Sequence, residues 1–254
     1  MSKSNNNPIG LITGSTLKII GCILMIVDHV GCILFPRIMF FRIVGRLAMP
    51  IFAFLIAEGC YYTKNKLKHF LLIFISGIIF LIGVWIFDGI WYFNIFIQFS
   101  ISVLYIYLIQ FLQKFIYSKD NKIFKTIISI IIFSISLIIG YYLFKIIPFE
   151  YGFFTTLLPV FVSMLYIKKY SESKIIKYLD NHFTKVFITF IFLILIYIEF
   201  KISIQIYSLL SIPILLLYNG EAGCKKMKYF FYLFYPAHII IIFLIRMLLI
   251  TIRT

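Results

Sequence analysis

The chain sets a carboxylic acid beside an imidazole inside its first long apolar run, at Met25-Ile-Val-Asp28-His29. An ionisable side chain at bilayer depth costs about 2.5 to 3.5 kcal/mol even on the lenient insertion scale, so it persists there when it is paired or put to use. A histidine in such a place can act as a general base, and an aspartate can orient an imidazole and stabilise its protonated form. Lys18, Cys22, Met25, His29 and Cys32 recur at helical spacing as one stripe, with Gly21, Met25, Asp28 and Cys32 as an adjoining one. That face belongs against a bundle interior or a wet cavity rather than lipid. Sequence neighbours sit roughly 100° apart around a helix, so Asp28 and His29 need not pair with each other. A polar pair that only braces neighbouring helices is the competing reading.

A second set begins at Arg42-Ile-Val-Gly45-Arg46-Leu-Ala-Met-Pro50 and ends at Ala57-Glu58-Gly59. Two guanidiniums one turn apart suit a phosphate or carboxylate. Arg46 reads as a partner of Asp28 or of a ligand, and Arg42 as an anchor to lipid headgroups. Pro50 interrupts the helical ladder and leaves backbone groups free near a cavity. Glu58 lies about 18 Å from Arg46 along an unbroken helix, too far to share one local site, and nearby lysines offer it a salt bridge. Near the other end, Tyr218-Asn-Gly220 reads as a turn that closes a span, and Phe230-Phe-Tyr-Leu-Phe-Tyr235-Pro236-Ala-His238 as the opening of the last one. With His29, His238 completes the pair of histidines at membrane depth, while His69 and His182 read as basic loop edges. Asp88 and Glu150 each stand next to turn glycines, at Phe87-Asp88-Gly89 and Glu150-Tyr151-Gly152, which turns need in any case.

The elements that must position these residues are membrane helices. The chain is 63% apolar and 13% charged with a mean hydropathy of +1.05, which excludes a water-soluble domain. The pattern predicts an all-α, polytopic helical bundle of about nine spans, near 17–35, 43–62, 69–87, 96–117, 123–144, 152–167, 183–200, 202–218 and 229–250. Residues 1–16 form a short polar tail, and 17–254 a single integral-membrane domain without internal repeats or a cleavable signal. The net charge of +15 does not argue for nucleic acid, because most of the basic residues fall in alternate loops, around 3–18, 64–68, 114–125, 168–185 and 225–228. That alternation predicts a cytoplasmic N-terminus. Cys22 and Cys32 lie about 15 Å apart on one helix, too far for a disulfide. No cysteine shares metal-ligand spacing with a histidine, so no metal is expected. The spans at 123–144 and 183–200 read as lipid-facing scaffold; the polar residues gather in the first two segments and the last, so the two ends of the chain should meet.

The runs Leu17-Lys-Ile-Ile-Gly-Cys-Ile-Leu-Met25-Ile-Val-Asp28-His29-Val-Gly31, Arg42 through Gly59, and Tyr218-Asn-Gly220 through Tyr235-Pro236-Ala-His238 together resemble the TraX family of bacterial membrane proteins. Outside these runs, from about 95 to 200, the resemblance rests on hydropathy and the Glu150-Tyr-Gly152 turn. Where relatives tend to carry an acid and a proline ahead of Phe-Asp, this chain has Val84 and Ile86 before Phe87-Asp88. The resemblance implies a multi-pass protein of the bacterial inner membrane associated with N-terminal acetylation of conjugative pilin. It implies acetyl-CoA as acyl donor and a peptide, pilin-like or cell-envelope acceptor.

On that reading His29 or His238 is the base, Asp28 its orienter and Arg46 the stabiliser of the oxyanion. Arg42, Glu58, Lys64, Lys66 and Tyr235 are the expected donor- or substrate-binding residues, with lysines at 64–68 and 225–228 on the CoA phosphates. A proton-coupled transporter using Asp28, His29 and Glu58 as a relay is the alternative, and an accessory subunit without chemistry a third. The expected architecture packs the first, second and last helices so that Asp28, His29, Arg46 and His238 face one cavity bordered by Pro50 and Pro236. His238 is expected nearer the cytoplasmic side than Asp28, so that the cavity runs through the membrane.

Overall fold

A computed structural model describes residues 10–116, 121–166, 180–201, 203–224 and 228–253. The first nine residues of the tail and the basic residues Lys119, Lys168, Lys169, Lys174, Lys177, Lys225 and Lys226 lie outside them. The described chain is helical, with two isolated β-bridges and no strand: α1 Gly14–Ile33, α2 Met39–Gly45, α3 Ala48–Tyr62, α4 Lys66–Asp88, α5 Ile95–Ile116, α6 Lys122–Ile146, α7 Phe153–Met164, α8 His182–Phe200, a 3-10 helix Ser203–Leu210, α9 Ser211–Leu216 and α10 Lys228–Arg253.

Seven of the described helical segments are long and apolar enough to cross a bilayer, with Met39–Tyr62 counted as one. The other two expected spans are shorter, at Phe153–Met164 and Ile204–Leu216. Twelve residues of α-helix reach only about 18 Å, against a hydrocarbon core of about 30 Å. The eighth expected span opens as a 3-10 helix and carries Pro213 in α9.

Side-chain caps explain several starts. Thr13 accepts from Thr16 N at α1, one residue ahead of the expected Gly14-Ser15-Thr16 start; Asn65 accepts from Lys68 N at α4, and Asn181 from Thr184 N at α8. Gly89 ends α4 at φ 68°, a left-handed conformation that glycine adopts without steric cost.

The ends of the chain do meet. α1 packs against α2 and α3 on one side and against α10 on the other, while α4 packs against α10 and α5. The core lies among α3, α4, α5, α7 and α8, and α6 stays peripheral, with only Ser129 and Gly140 buried. At the face that carries the start of α1, Leu11 N and Ile12 N donate to Leu217 O, and Asn219 N returns a bond to Ile12 O. At the opposite face Phe93 N donates to Pro148 O and Glu150 N to Phe93 O, which ties the α4–α5 and α6–α7 connections together.

Candidate functional site

At the face away from the chain's start, α1 and α2 cross at Gly45. A Cβ there would run into the Cβ, Oδ1 and Cα atoms of Asp28, so only glycine lets the helices approach this closely. Pro50, in the first turn of α3, has no N–H to offer the Arg46 carbonyl, and the helix breaks at Arg46–Leu47 between α2 and α3. The break precedes the proline expected to cause it by one turn, as its missing donor dictates. Arg42 Nη1 donates to Asp28 Oδ2 at 2.9 Å, and Arg46 Nη2 lies 3.5 Å from Asp28 Oδ1. Arg46 Nη1 also donates to Tyr151 Oη at 3.2 Å, while its buried Nε finds no acceptor among the described residues.

Two expectations are corrected here. Arg42 pairs with Asp28 rather than with headgroups, and the Asp28 carboxylate orients two guanidiniums rather than an imidazole. The angular offset between adjacent helix positions is the reason, since Asp28 faces α2 while His29 faces α10.

Glu150 and Tyr151 close this end. Glu150 Oε2 accepts Ile95 N at 3.0 Å, at the start of α5. Burial pushes its carboxyl up to about 7, and the bond from Ile95 only partly offsets this. Read from sequence as a turn acid, Glu150 is a half-buried group within the field of Asp28 and both arginines.

On the other side of α1, His238 Nε2 lies 2.8 Å from His29 Nδ1. His238 Nδ1 lies 3.0 Å from Phe234 O, a carbonyl that can only accept, so Nδ1 carries the hydrogen. In the neutral pair His238 Nε2 is then the acceptor, His29 Nδ1–H the donor, and His29 Nε2 holds the free lone pair. His29 also bonds the Met25 carbonyl one turn back, which only accepts, so in this tautomer that bond too comes from Nδ1–H; His29 is only partly buried. His238 therefore sits at the depth of His29, not nearer the other face as expected, because the α10 register sets the rings side by side.

Pro236 lies inside α10 and not at its start. The Tyr232 carbonyl, deprived of its usual donor, lies 3.0 Å from Ser76 Oγ on α4, whose hydroxyl also reaches Leu72 O at 2.7 Å. Below the histidines an aromatic column fills the α4–α5–α10 interior. Phe96 stacks on Tyr235 at 3.5 Å between ring centroids, Tyr235 on Phe80 at 4.7 Å, and Phe80 lies 5.8 Å from His29. Asn94, fully buried, fixes the column: its Oδ1 caps α5 through Phe96 N and Ile97 N and lies 3.3 Å from Tyr235 Oη, and its Nδ2 donates to Gly77 O. An asparagine directly before an apolar run is a helix-start signal that marks this residue in the sequence.

A cavity of about 410 Å³ opens at the other end of the column. Its walls include Lys18, Phe52, Gly59, His69, Phe96 and Gly223; Asp28, His29, Arg46 and His238 are not among them. The expected common cavity is thus corrected: Asp28 and Arg46 are packed on one face of α1, the two histidines on another, and the cavity lies at the far end of the same helix. His69, read from sequence as a loop edge, is buried against Tyr107, whose Oη lies 2.9 Å from Nδ1. His182 is buried too, with Nε2 2.8 Å from Leu215 O.

Near this face Glu58 accepts from Tyr218 Oη at 2.6 Å, and burial together with Glu58 pushes the Tyr218 phenol up, so it keeps its proton. Lys185 pairs at 2.6 Å with Asp180, both almost fully buried. Lys64 and Lys66 are exposed at the turn into α4, beside the cavity but not in its wall. Asp88, at the end of α4, pairs with Arg246 of α10 at 2.8 Å.

A family model described as "TraX protein" matches residues 13–246. The chain belongs to the TraX family. An uncharacterized protein of Rickettsia prowazekii (strain Madrid E) is 40% identical to it over 63 residues, 25% of this chain and 23% of that protein. The chain thus spans about a quarter of that relative's length. No solved structure matches this TraX-family chain.

Proposed function

We propose that this TraX-family protein is a membrane-embedded acetyltransferase that moves an acetyl group from acetyl-CoA to an amine or hydroxyl of a peptide, pilin-like or cell-envelope acceptor. The observation that carries the reading is the His238–His29 chain, which fixes the tautomers so that His29 Nε2 is left as a base. An α-amine has an ordinary pKa near 8, so an imidazole suffices to take its proton at neutral pH. In the reaction the acceptor nitrogen or oxygen attacks the thioester carbonyl as His29 Nε2 takes its proton. The new C–N or C–O bond forms, the C–S bond breaks, and CoA leaves as the thiolate, which takes up a proton. Arg46, held by Asp28 and Tyr151 with a buried Nε–H to spare, suits the charge that develops on the carbonyl oxygen.

The loop charges favour a chain inserted in a bacterial inner membrane with its N-terminus in the cytoplasm, so that acetyl-CoA arrives from the side of Lys18 and Lys64. The same histidine chain would serve proton transfer in a carrier, which is the second reading. The test is incubation of the purified protein in nanodiscs with acetyl-CoA labelled in the acetyl group and a membrane extract. Label in a protein or glycan together with free CoA supports the transferase. Proton-driven solute flux in vesicles, with acetyl-CoA unconsumed, supports the carrier.

A further inference from the structure

The cavity at the Lys18 end combines apolar walls with a lysine. Phe52, Leu55, Ile56, Ile73 and Phe96 give it apolar walls, and Lys18 adds an ammonium to the lining. Thr63, also in the wall, begins the turn that carries exposed Lys64, Lys66 and Lys68. An elongated ligand with an apolar end inside and phosphates outside matches both halves.

We propose that this cavity takes the acyl-pantetheine arm of an acyl-CoA, with the acyl end against Phe96, and that Phe96 sets the length of acyl group admitted. The assignment rests on the acetyltransferase reading and deepens it. Phe96 is held from behind by Tyr235, stacked at 3.5 Å and anchored near Asn94, so the inner wall cannot recede without breaking the stack. Tyr235 in turn lies 5.9 Å from His238 between ring centroids. The Phe96 and Tyr235 rings therefore stand between the acyl end of the cavity and the histidine pair, so transfer to an acceptor at His29 Nε2 requires that stack to open.

Cys224 gives a reporter in the native chain. It lines the cavity and is exposed, as is Cys32, while Cys22 and Cys60 are buried. In a Cys32→Ser variant reconstituted in nanodiscs, the rate of Cys224 alkylation by N-ethylmaleimide is followed with added acetyl-CoA, hexanoyl-CoA or dodecanoate. Acetyl-CoA is expected to slow alkylation about tenfold and hexanoyl-CoA much less. Phe96→Ala, or Phe96→Leu if the alanine variant misfolds, should let hexanoyl-CoA protect as well as acetyl-CoA.

An alkylation rate unchanged by acetyl-CoA in a preparation that transfers label would overturn the cavity assignment and leave the transferase standing. Protection without any transfer would support a CoA site and count against the transferase. Equal protection by dodecanoate would make the cavity a lipid site and overturn the proposal, and hexanoyl-CoA protecting the parent as well as acetyl-CoA would remove Phe96 as the length gauge.

Discussion

The two ends of α1 solve opposite problems. Around Asp28 and His29 the polar groups are packed against one another: a carboxylate between two guanidiniums, a guanidinium on a phenol, an imidazole on an imidazole. Around Lys18 the helix borders a cavity of about 410 Å³ whose walls are chiefly apolar. Buried charge away from water needs partners on every side, whereas an open space for a ligand needs walls that lose little by standing empty. The paired polar groups and the open space therefore lie at different ends, with the Phe96–Tyr235–Phe80 column between them.

The sharpest way to break the crowded end is Gly45→Ala. The added Cβ meets Asp28 and pushes it away from both arginines, and displacing one partner of a buried ion pair costs roughly 3–5 kcal/mol. Thermal unfolding in detergent should show a large fall in Tm, and an unchanged Tm would mean that the helices cross more loosely than described. Arg46→Lys comes next. One ammonium cannot span Asp28 and Tyr151 as the guanidinium does, so label transfer should drop on the order of 10²-fold through misplacement, while Arg42→Lys, which meets only Asp28, stays mild. The reverse ranking would move the site towards Arg42 and the membrane surface.

Tyr218→Phe touches only the other end. Losing the bond to Glu58 should cost about 1.5–3 kcal/mol of stability and leave the pH profile of transfer unchanged. A shifted pH profile would tie Glu58 to the chemistry, as the relay reading of Glu58 requires.

The smallest effect expected is a pH dependence of stability from Glu150. Its carboxyl is raised to about 7 in the folded protein against an ordinary 4.5, so between those values the folded state holds more proton than the unfolded one. Stability should be greatest below the lower value, fall as pH rises towards 7, and then level off. In Glu150→Gln that slope should disappear from Tm measured against pH.

Much of the crowded end was legible because ionic residues in an apolar run announce themselves. Asp28, His29, Arg46 and His238 all stand out in the sequence, and they form two pairs on different faces of α1. Which of them pair was not legible. A one-residue step around α1 decides that Asp28 goes to the arginines and His29 to His238, and the depth of His238 depends on how α10 slides against α1. Glu199 shows another limit. It lies in a span that reads as pure scaffold, yet both its oxygens accept backbone N–H groups of Phe153 and Phe154 at the start of α7. A single acid in an apolar run was the available signal. The cavity was the least legible feature, since its walls are ordinary apolar residues brought from α1, α3, α4, α5, α10 and the 222–224 turn.

The central claim is that His29 is the base and His238 its positioning partner. It is tested most directly by transfer of labelled acetyl from acetyl-CoA to membrane-extract acceptors, comparing the parent protein with His29→Ala and His238→Ala at several pH values. His29→Ala should lower transfer about 10²–10⁴-fold with folding retained, the range expected for loss of a general base. His238→Ala should lower it less and shift its pH profile, because the imidazole at His29 loses the neighbour that fixes its tautomer. Full transfer by His29→Ala would contradict the account.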